Sequence, residues 1–107
     1  MKSVNTFSLS GRIVADAKYF DSKNGIIARY SVAHNLGRGV PALFVDCVSF
    51  PKKGEKIQED LLKKGTPVII SGYLRPNTNT KDGKTYTTTD YVVTSLSANQ
   101  DEDEGAE

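Results

Sequence analysis

Apolar and polar residues alternate along much of the chain, a pattern typical of β-strands with one buried face. Phe7, Leu9 and Ile13 share one such face around Gly11, a residue that can mark a bulge or a bend. Later runs alternate in the same way or are rich in Val, Thr and Tyr, which favour strands. The pattern predicts five strands, over 4–15, 26–36, 42–50, 66–75 and 86–96.

Turn-forming residues separate these strands. Asn24-Gly25 predicts a turn before the second strand, and Gly37-Arg38-Gly39 predicts a loop that displays Arg38 before the third. A polar arm over 76–85 links the last two strands and contains Asp82-Gly83, a favourable hairpin turn. The chain is therefore expected to fold as a set of antiparallel hairpins.

One segment has helical periodicity. Ile57, Leu61 and Leu62 are spaced i, i+4, i+5 within 54–64, which predicts a helix ending at Gly65. The resulting order is three strands, one helix and two strands. A small all-β protein must protect its strand edges, and a closed five-stranded barrel is one way to do so. This order alone does not distinguish an OB fold from other small barrels.

Charge is distributed unevenly along the chain. The segment 1–100 carries 14 basic and 8 acidic residues, a net charge of +6, whereas the last seven residues contain five acidic ones. We predict one domain over 1–98 and a short acidic disordered tail over 99–107. A basic domain suits a polyanionic partner, although it is also compatible with an ordinary soluble surface.

Signals of catalysis and metal binding are weak. His34 is the only histidine, and no cysteine or carboxylate lies at ligand spacing, so a structural role is predicted. Cys47 is the only cysteine and lies in an apolar run, as a buried filler would. The apolar runs are too short to cross a bilayer and no signal peptide is evident, so an intracellular location is expected. No catalytic, metal or cofactor site is predicted.

Cations and aromatic residues are interleaved in the middle of the chain. Phe44 and Phe50 share one face of the third strand. This mixture suits single-stranded nucleic acid, because phosphates require positive charge and unpaired bases have free faces for stacking. In the alternative interpretation, the phenylalanines belong to the core and the cations only solubilise the protein. The candidate cations are Arg29, Arg38, Lys52, Lys53, Arg75, Lys81 and Lys84.

Several short segments, in this order, resemble the bacterial single-stranded-DNA-binding proteins. They span 9–12, 27–33, 62–68 and 70–75, and the resemblance extends from about Val4 to Leu96. It implies a five-stranded OB-fold barrel with one helix between strands 3 and 4. It also implies a homotetramer in the cytoplasm, associated with the nucleoid, that wraps single-stranded DNA during replication, recombination and repair without catalysis or cofactor.

The resemblance also bears on the site. Phe44 and Phe50 fall where the family has stacking aromatics, and Lys52 and Lys64 fall on positions that are basic in the family. The predicted nucleic-acid-binding residues are therefore Arg29, Arg38, Phe44, Phe50, Lys52, Lys64, Arg75, Lys81 and Lys84.

Three features depart from the family's pattern. The chain has no tryptophan, and Arg38 and Asn79 stand where the family often has one. Asp46 lies between the two phenylalanines, where a basic residue is usual, and the acidic end lacks the long linker and Pro-Phe tip through which partner proteins dock. Two alternatives stay open: a primosome-type adaptor, a dimer in that case, that binds single strands weakly and docks a replication protein, or a protein that binds RNA.

Overall fold

The computed structural model describes residues 3–50 and 57–100. Within them the chain forms six strands and one 3₁₀ turn, over Glu59–Leu61. The strands are β1 (Phe7–Ile13), β2 (Lys18–Ser22), β3 (Gly25–His34), β4 (Leu43–Ser49), β5 (Pro67–Lys81) and β6 (Lys84–Ala98).

Five of the six strands close into a ring. β1 pairs with β5 on one side and, through Arg12 and Ile13, with β3 on the other. The ring is completed by antiparallel pairing of β3 with β4 and of β5 with β6, and by a short parallel contact between β4 and β6. β2 adds to the edge of β3 outside the ring. This confirms the predicted all-β class and its closed set of five strands.

The core lies inside the ring, where alternate residues of each strand point. Its buried members are Ile13, Ala28, Tyr30, Val32, Val45, Cys47, Leu62, Val68, Ile70 and Val93. Burial raises the pKa of the Cys47 thiol to about 12, so the thiol stays protonated at neutral pH. Cys47 is therefore the buried filler that its apolar neighbours predict.

Gly72 permits a close approach between β5 and β6. The pairing of the two strands shifts register between Ser71 and Gly72. A Cβ atom at position 72 would lie 1.8 Å from the carbonyl oxygen of Val92 and 3.0 Å from the backbone nitrogen of Thr94. Only glycine fits this bulge, because both obstacles belong to the backbone.

Two of the predicted hairpin turns form, at Asp82-Gly83 as expected and at Lys23-Asn24, one residue before the predicted Asn24-Gly25. Asp82 and Gly83 both have positive φ, 53° and 79°, which is the type I′ geometry that matches strand twist. The predicted arm is itself a continuous part of the β5–β6 hairpin. At the other turn, Gly25 adopts φ 128° at the start of β3, and Asn24 does not have positive φ.

The helix predicted over 54–64 is wrong for the part that the structure describes, which contains only the 3₁₀ turn. Its backbone bonds are of the tighter 3₁₀ type, from the N–H of Leu61 to the Gln58 carbonyl and from the N–H of Leu62 to the Glu59 carbonyl, and the Leu62 carbonyl accepts from the N–H of Ala17. The apolar spacing is nevertheless used, since Leu62 is 1% exposed and belongs to the core. Tertiary packing therefore overrides the local periodicity. Residues 54–56 lie outside the described residues.

β2 was not predicted, because 16–25 contains strong turn signals and little apolar alternation. All five residues of Lys18–Ser22 are exposed, so this edge strand has no buried face to leave a pattern in the sequence. At the other end of the domain, the N–H of Asn99 donates to the carbonyl of Pro67. The acidic tail stays a prediction, since 101–107 lie outside the described residues.

Candidate nucleic-acid interface

The outer faces of β3 and β4 form a continuous surface on the barrel wall. Because the neighbours of Phe44 and Asp46, namely Val45 and Cys47, point into the core, these two side chains point outward. On β3, Arg29 and Ser31 lie on the same outer face, and Ser31 is the register partner of Asp46. The Ser31 hydroxyl donates to Asp46 Oδ1 over 3.0 Å.

Phe44 is the most accessible aromatic ring on this surface. Its side chain is 64% exposed, although it lies within a regular strand. Exposure of an apolar ring to water is unfavourable in free energy, and the ring offers a flat face to a partner. The alternative in which Phe44 belongs to the core is therefore wrong.

Phe50, the second predicted stacking residue, is half-buried and has one face occupied. The guanidinium carbon of Arg75 lies 4.7 Å from the centroid of its ring, within the distance of a cation–π contact. Phe50 does not belong to the core cluster. A base can therefore stack only on the face of the Phe50 ring that Arg75 does not cover.

Arg29 and Arg75 meet at Asp90, a residue of β6. Nη1 of Arg29 lies 3.5 Å from Asp90 Oδ1, and Nη2 of Arg75 lies 3.3 Å from Oδ2. Asp90 is 3% exposed, whereas each arginine side chain is 41% exposed. The two predicted cations are thus brought together on the outer face with a net charge of +1.

Beyond Asp90, β5 and β6 extend as a two-stranded arm. Lys81 and Lys84 are register partners on either side of the turn at its tip, and both are exposed. Two residues further, Tyr86 is the register partner of Asn79 and is 53% exposed. Alternation along β6 places Lys84, Tyr86 and Asp90 on the same side of the arm. The arm therefore carries two cations and one accessible aromatic ring.

The remaining predicted residues are more scattered. Arg38 is exposed in the loop after β3, between Gly37 and Gly39, which both have positive φ. Lys64 is exposed beside the end of β1, and its backbone N–H donates to Asp16 Oδ1 over 2.8 Å. Neither contacts the Arg29, Arg75 and Asp90 group through any described hydrogen bond or ion pair. Lys52 lies outside the described residues.

Sequence reasoning missed Lys18, Tyr86 and Asp90. Lys18 is the register partner of Arg29, and both border a shallow cleft of about 350 Å³ that Asp90 also lines. The signal for Tyr86 and Asp90 was present: counting back from the Asp82-Gly83 turn gives the register of the whole arm. Lys18 could not be found, because β2 itself was not predicted.

His34 has a structural contact. Its Nδ1 lies 2.7 Å from the carbonyl oxygen of Ser10, so the nitrogen donates a hydrogen bond between β3 and β1. Among residues 3–50 and 57–100, no three His, Cys, Asp or Glu side chains are grouped so as to hold a metal ion. In the same ranges no helix is long and apolar enough to cross a membrane.

Solved structures of similar fold place this barrel in the OB class. A small single-stranded DNA-binding protein from Streptomyces coelicolor matches with a TM-score of 0.71 and 17% identity over 95% of this chain and 99% of that one. The Plasmodium falciparum SSB in complex with single-stranded DNA matches with a TM-score of 0.78 and 18% identity, over 94% and 98%. At such identities the likeness concerns the fold.

Sequence comparison identifies the family. Residues 4–98 match the profile of the single-strand binding protein (SSB) family. A single-stranded DNA-binding protein of Borreliella burgdorferi is 35% identical over 83 residues, which are 70% of this chain and 54% of that relative. The chain therefore belongs to the single-strand binding protein family, and it spans about half the length of this curated relative. Membership in this family agrees with the predicted class of protein, a single-strand binding protein.

Proposed function

We propose that this protein binds single-stranded DNA with little sequence preference, along the outer face of β3 and β4 and onto the β5–β6 arm. The observation that carries the proposal is Phe44, a 64% exposed phenylalanine on the outer face of the barrel strand β4. A base stacked on such a ring contributes about 1–3 kcal/mol, and every base has a face that can stack.

The cations of this surface supply the electrostatic part of the affinity, by binding phosphates. Arg29 and Arg75 lie on the barrel wall, while Lys81 and Lys84 lie at the tip of the arm. Phosphates that bind these groups release condensed counterions, so the affinity should fall as salt rises. The proposed path of the DNA strand runs from Phe44 past Phe50 and Arg75 to Tyr86. We add Lys18 to the proposed binding residues, because it is the register partner of Arg29.

The biological setting follows as part of the same proposal. The protein protects single strands during replication, recombination and repair, and acts as a homo-oligomer. Exposed apolar side chains outside the interface support association between copies, among them Val4 at 89% exposure and Ile69 at 41%. The absence of tryptophan favours a second candidate, an adaptor that binds single strands weakly and docks a replication protein.

Binding of three labelled ligands would test this function. We expect oligo-dT to bind at least about tenfold more tightly than duplex DNA of the same length, because stacking needs unpaired bases. Fluorescence anisotropy at two salt concentrations, with oligo-U as the third ligand, measures both selectivity and charge dependence. Equal affinity for duplex would contradict the proposal, and tighter binding of oligo-U would make RNA the preferred ligand.

Tyr86→Ala should weaken oligo-dT binding by about 1 kcal/mol, the lower end of a stacking contact. Tyr86 is exposed on a two-stranded arm, so the free energy of unfolding should change little. Thr87→Ala is a matched control, because Thr87 is exposed on the opposite side of the same strand. If both variants bind as the unaltered protein does, the arm does not contribute a stacking residue.

A further inference from the structure

Asp90 is the only charged residue of the described ranges 3–50 and 57–100 that is buried, with 3% of its surface exposed. It lies on the outer face of the barrel, outside the core cluster. Each of its carboxylate oxygens has a different partner: Oδ1 faces Arg29 of β3, and Oδ2 faces Arg75 of β5. One carboxylate on β6 thereby joins two strands that are not neighbours in the ring.

A buried carboxylate is strongly destabilising unless it is paired. Asp90 is paired with the guanidinium groups of Arg29 and Arg75. The same contacts restrain these two long side chains, which otherwise sample many rotamers. Arg75 is further restrained by its contact with the Phe50 ring, 4.7 Å away. Four side chains, three on β3, β5 and β6 and one directly after β4, are thus held in one arrangement.

We propose that Asp90 is a positioning residue of the DNA-binding site, an inference that rests on the proposed function. It holds Arg29 and Arg75 in place for phosphates, and it keeps Arg75 on one face of Phe50 so that the other face receives the base. The arginine side chains lose their conformational entropy when the protein folds. DNA binding then does not have to order them, so its affinity is higher.

The same carboxylate also repels phosphates, so its removal has two opposite effects. At low salt the gain of one positive charge strengthens binding, whereas the loss of side-chain order weakens it. At about 1 M salt the Debye length is about 3 Å, and the long-range charge effect is largely screened. Affinity at high salt therefore reports the positioning effect.

The test compares Asp90→Asn with Asp46→Asn by titration of labelled oligo-dT at low salt and at about 1 M salt. Asp46→Asn is the matched control, since it removes the same charge from the same face and Asp46 is exposed and pairs with Ser31 rather than with an arginine. We expect Asp90→Asn to bind roughly tenfold more weakly than the unaltered protein at high salt, the effect of freeing two side chains. Asp46→Asn should weaken binding at high salt much less than Asp90→Asn does, because it frees no arginine side chain.

If Asp90→Asn equals or exceeds the unaltered protein at high salt, the carboxylate acts only through its charge and the inference is overturned. A second measurement needs no variant: NMR relaxation of the arginine side chains in the free protein should show Arg29 and Arg75 ordered and Arg38 mobile. Equal mobility of all three would also overturn it. A failure of the unaltered protein to prefer oligo-dT over duplex is a distinct result that overturns both this inference and the proposed function.

Discussion

Phe44→Ala should lose about 1–3 kcal/mol of oligo-dT binding free energy while retaining almost all of its free energy of unfolding. The reason is the position of the ring, which is 64% exposed on the outer face of β4. The variant therefore loses a ring on which a base can stack, but it loses few packing contacts within the protein. Titration of labelled oligo-dT and urea unfolding of the same preparation measure the two quantities.

Leu43→Ala is the control for Phe44→Ala. Leu43 is the preceding residue of β4, is 42% exposed, and points to the opposite side of the strand. Its truncation should leave oligo-dT binding unchanged. A loss of about 3–5 kcal/mol of stability in Phe44→Ala, the size of a core truncation, would show that the ring supports the fold and that the site has been misplaced.

Gly72→Ala should destabilise the protein by about 3 kcal/mol, near the upper end for inserting a group into a packed site. The added Cβ would meet the Val92 carbonyl oxygen at 1.8 Å, so β5 and β6 must move apart. These strands close the ring and carry both Arg75 and Asp90. Thermal or urea unfolding measures the loss directly.

Ser95→Ala is the control for Gly72→Ala, because Ser95 is exposed and lies beside the same bulge, as the register partner of Ser71. It should change the free energy of unfolding by less than about 0.5 kcal/mol. A Gly72→Ala variant as stable as the unaltered protein would mean that the two strands can separate at the bulge without cost.

The strands of the ring could be predicted because apolar and polar residues alternate along much of each strand. Val45 and Cys47 alternate with Phe44 and Asp46, and the core follows this alternation. β2 could not be predicted, since an edge strand exposed along its whole length has no such alternation. The helix over 54–64 failed for a different reason, because Leu62 reaches the core from a 3₁₀ turn that is tied to Ala17 through the Leu62 carbonyl.

The site could be predicted in part. Aromatic and basic residue types indicate a single-stranded nucleic acid, and strand alternation places Phe44 outside. The pairing of Arg75 with Asp90 follows from the register of the β5–β6 hairpin, whereas the approach of Arg29 to Asp90 depends on the parallel contact between β4 and β6. That contact has no local sequence signal that fixes the register, so the role of Asp90 in joining the two arginines required the structure.

Stacking of bases on the side chain at position 44 is tested most directly by the variant Phe44→Trp. The chain contains no tryptophan, so the new indole is the only one and its fluorescence reports on this position alone. We expect strong quenching when oligo-dT binds and little change with duplex DNA, while an indole introduced by Leu43→Trp keeps its fluorescence with both. Unchanged Trp fluorescence in Phe44→Trp, at oligo-dT concentrations where anisotropy shows the complex to be formed, would show that no base stacks at position 44.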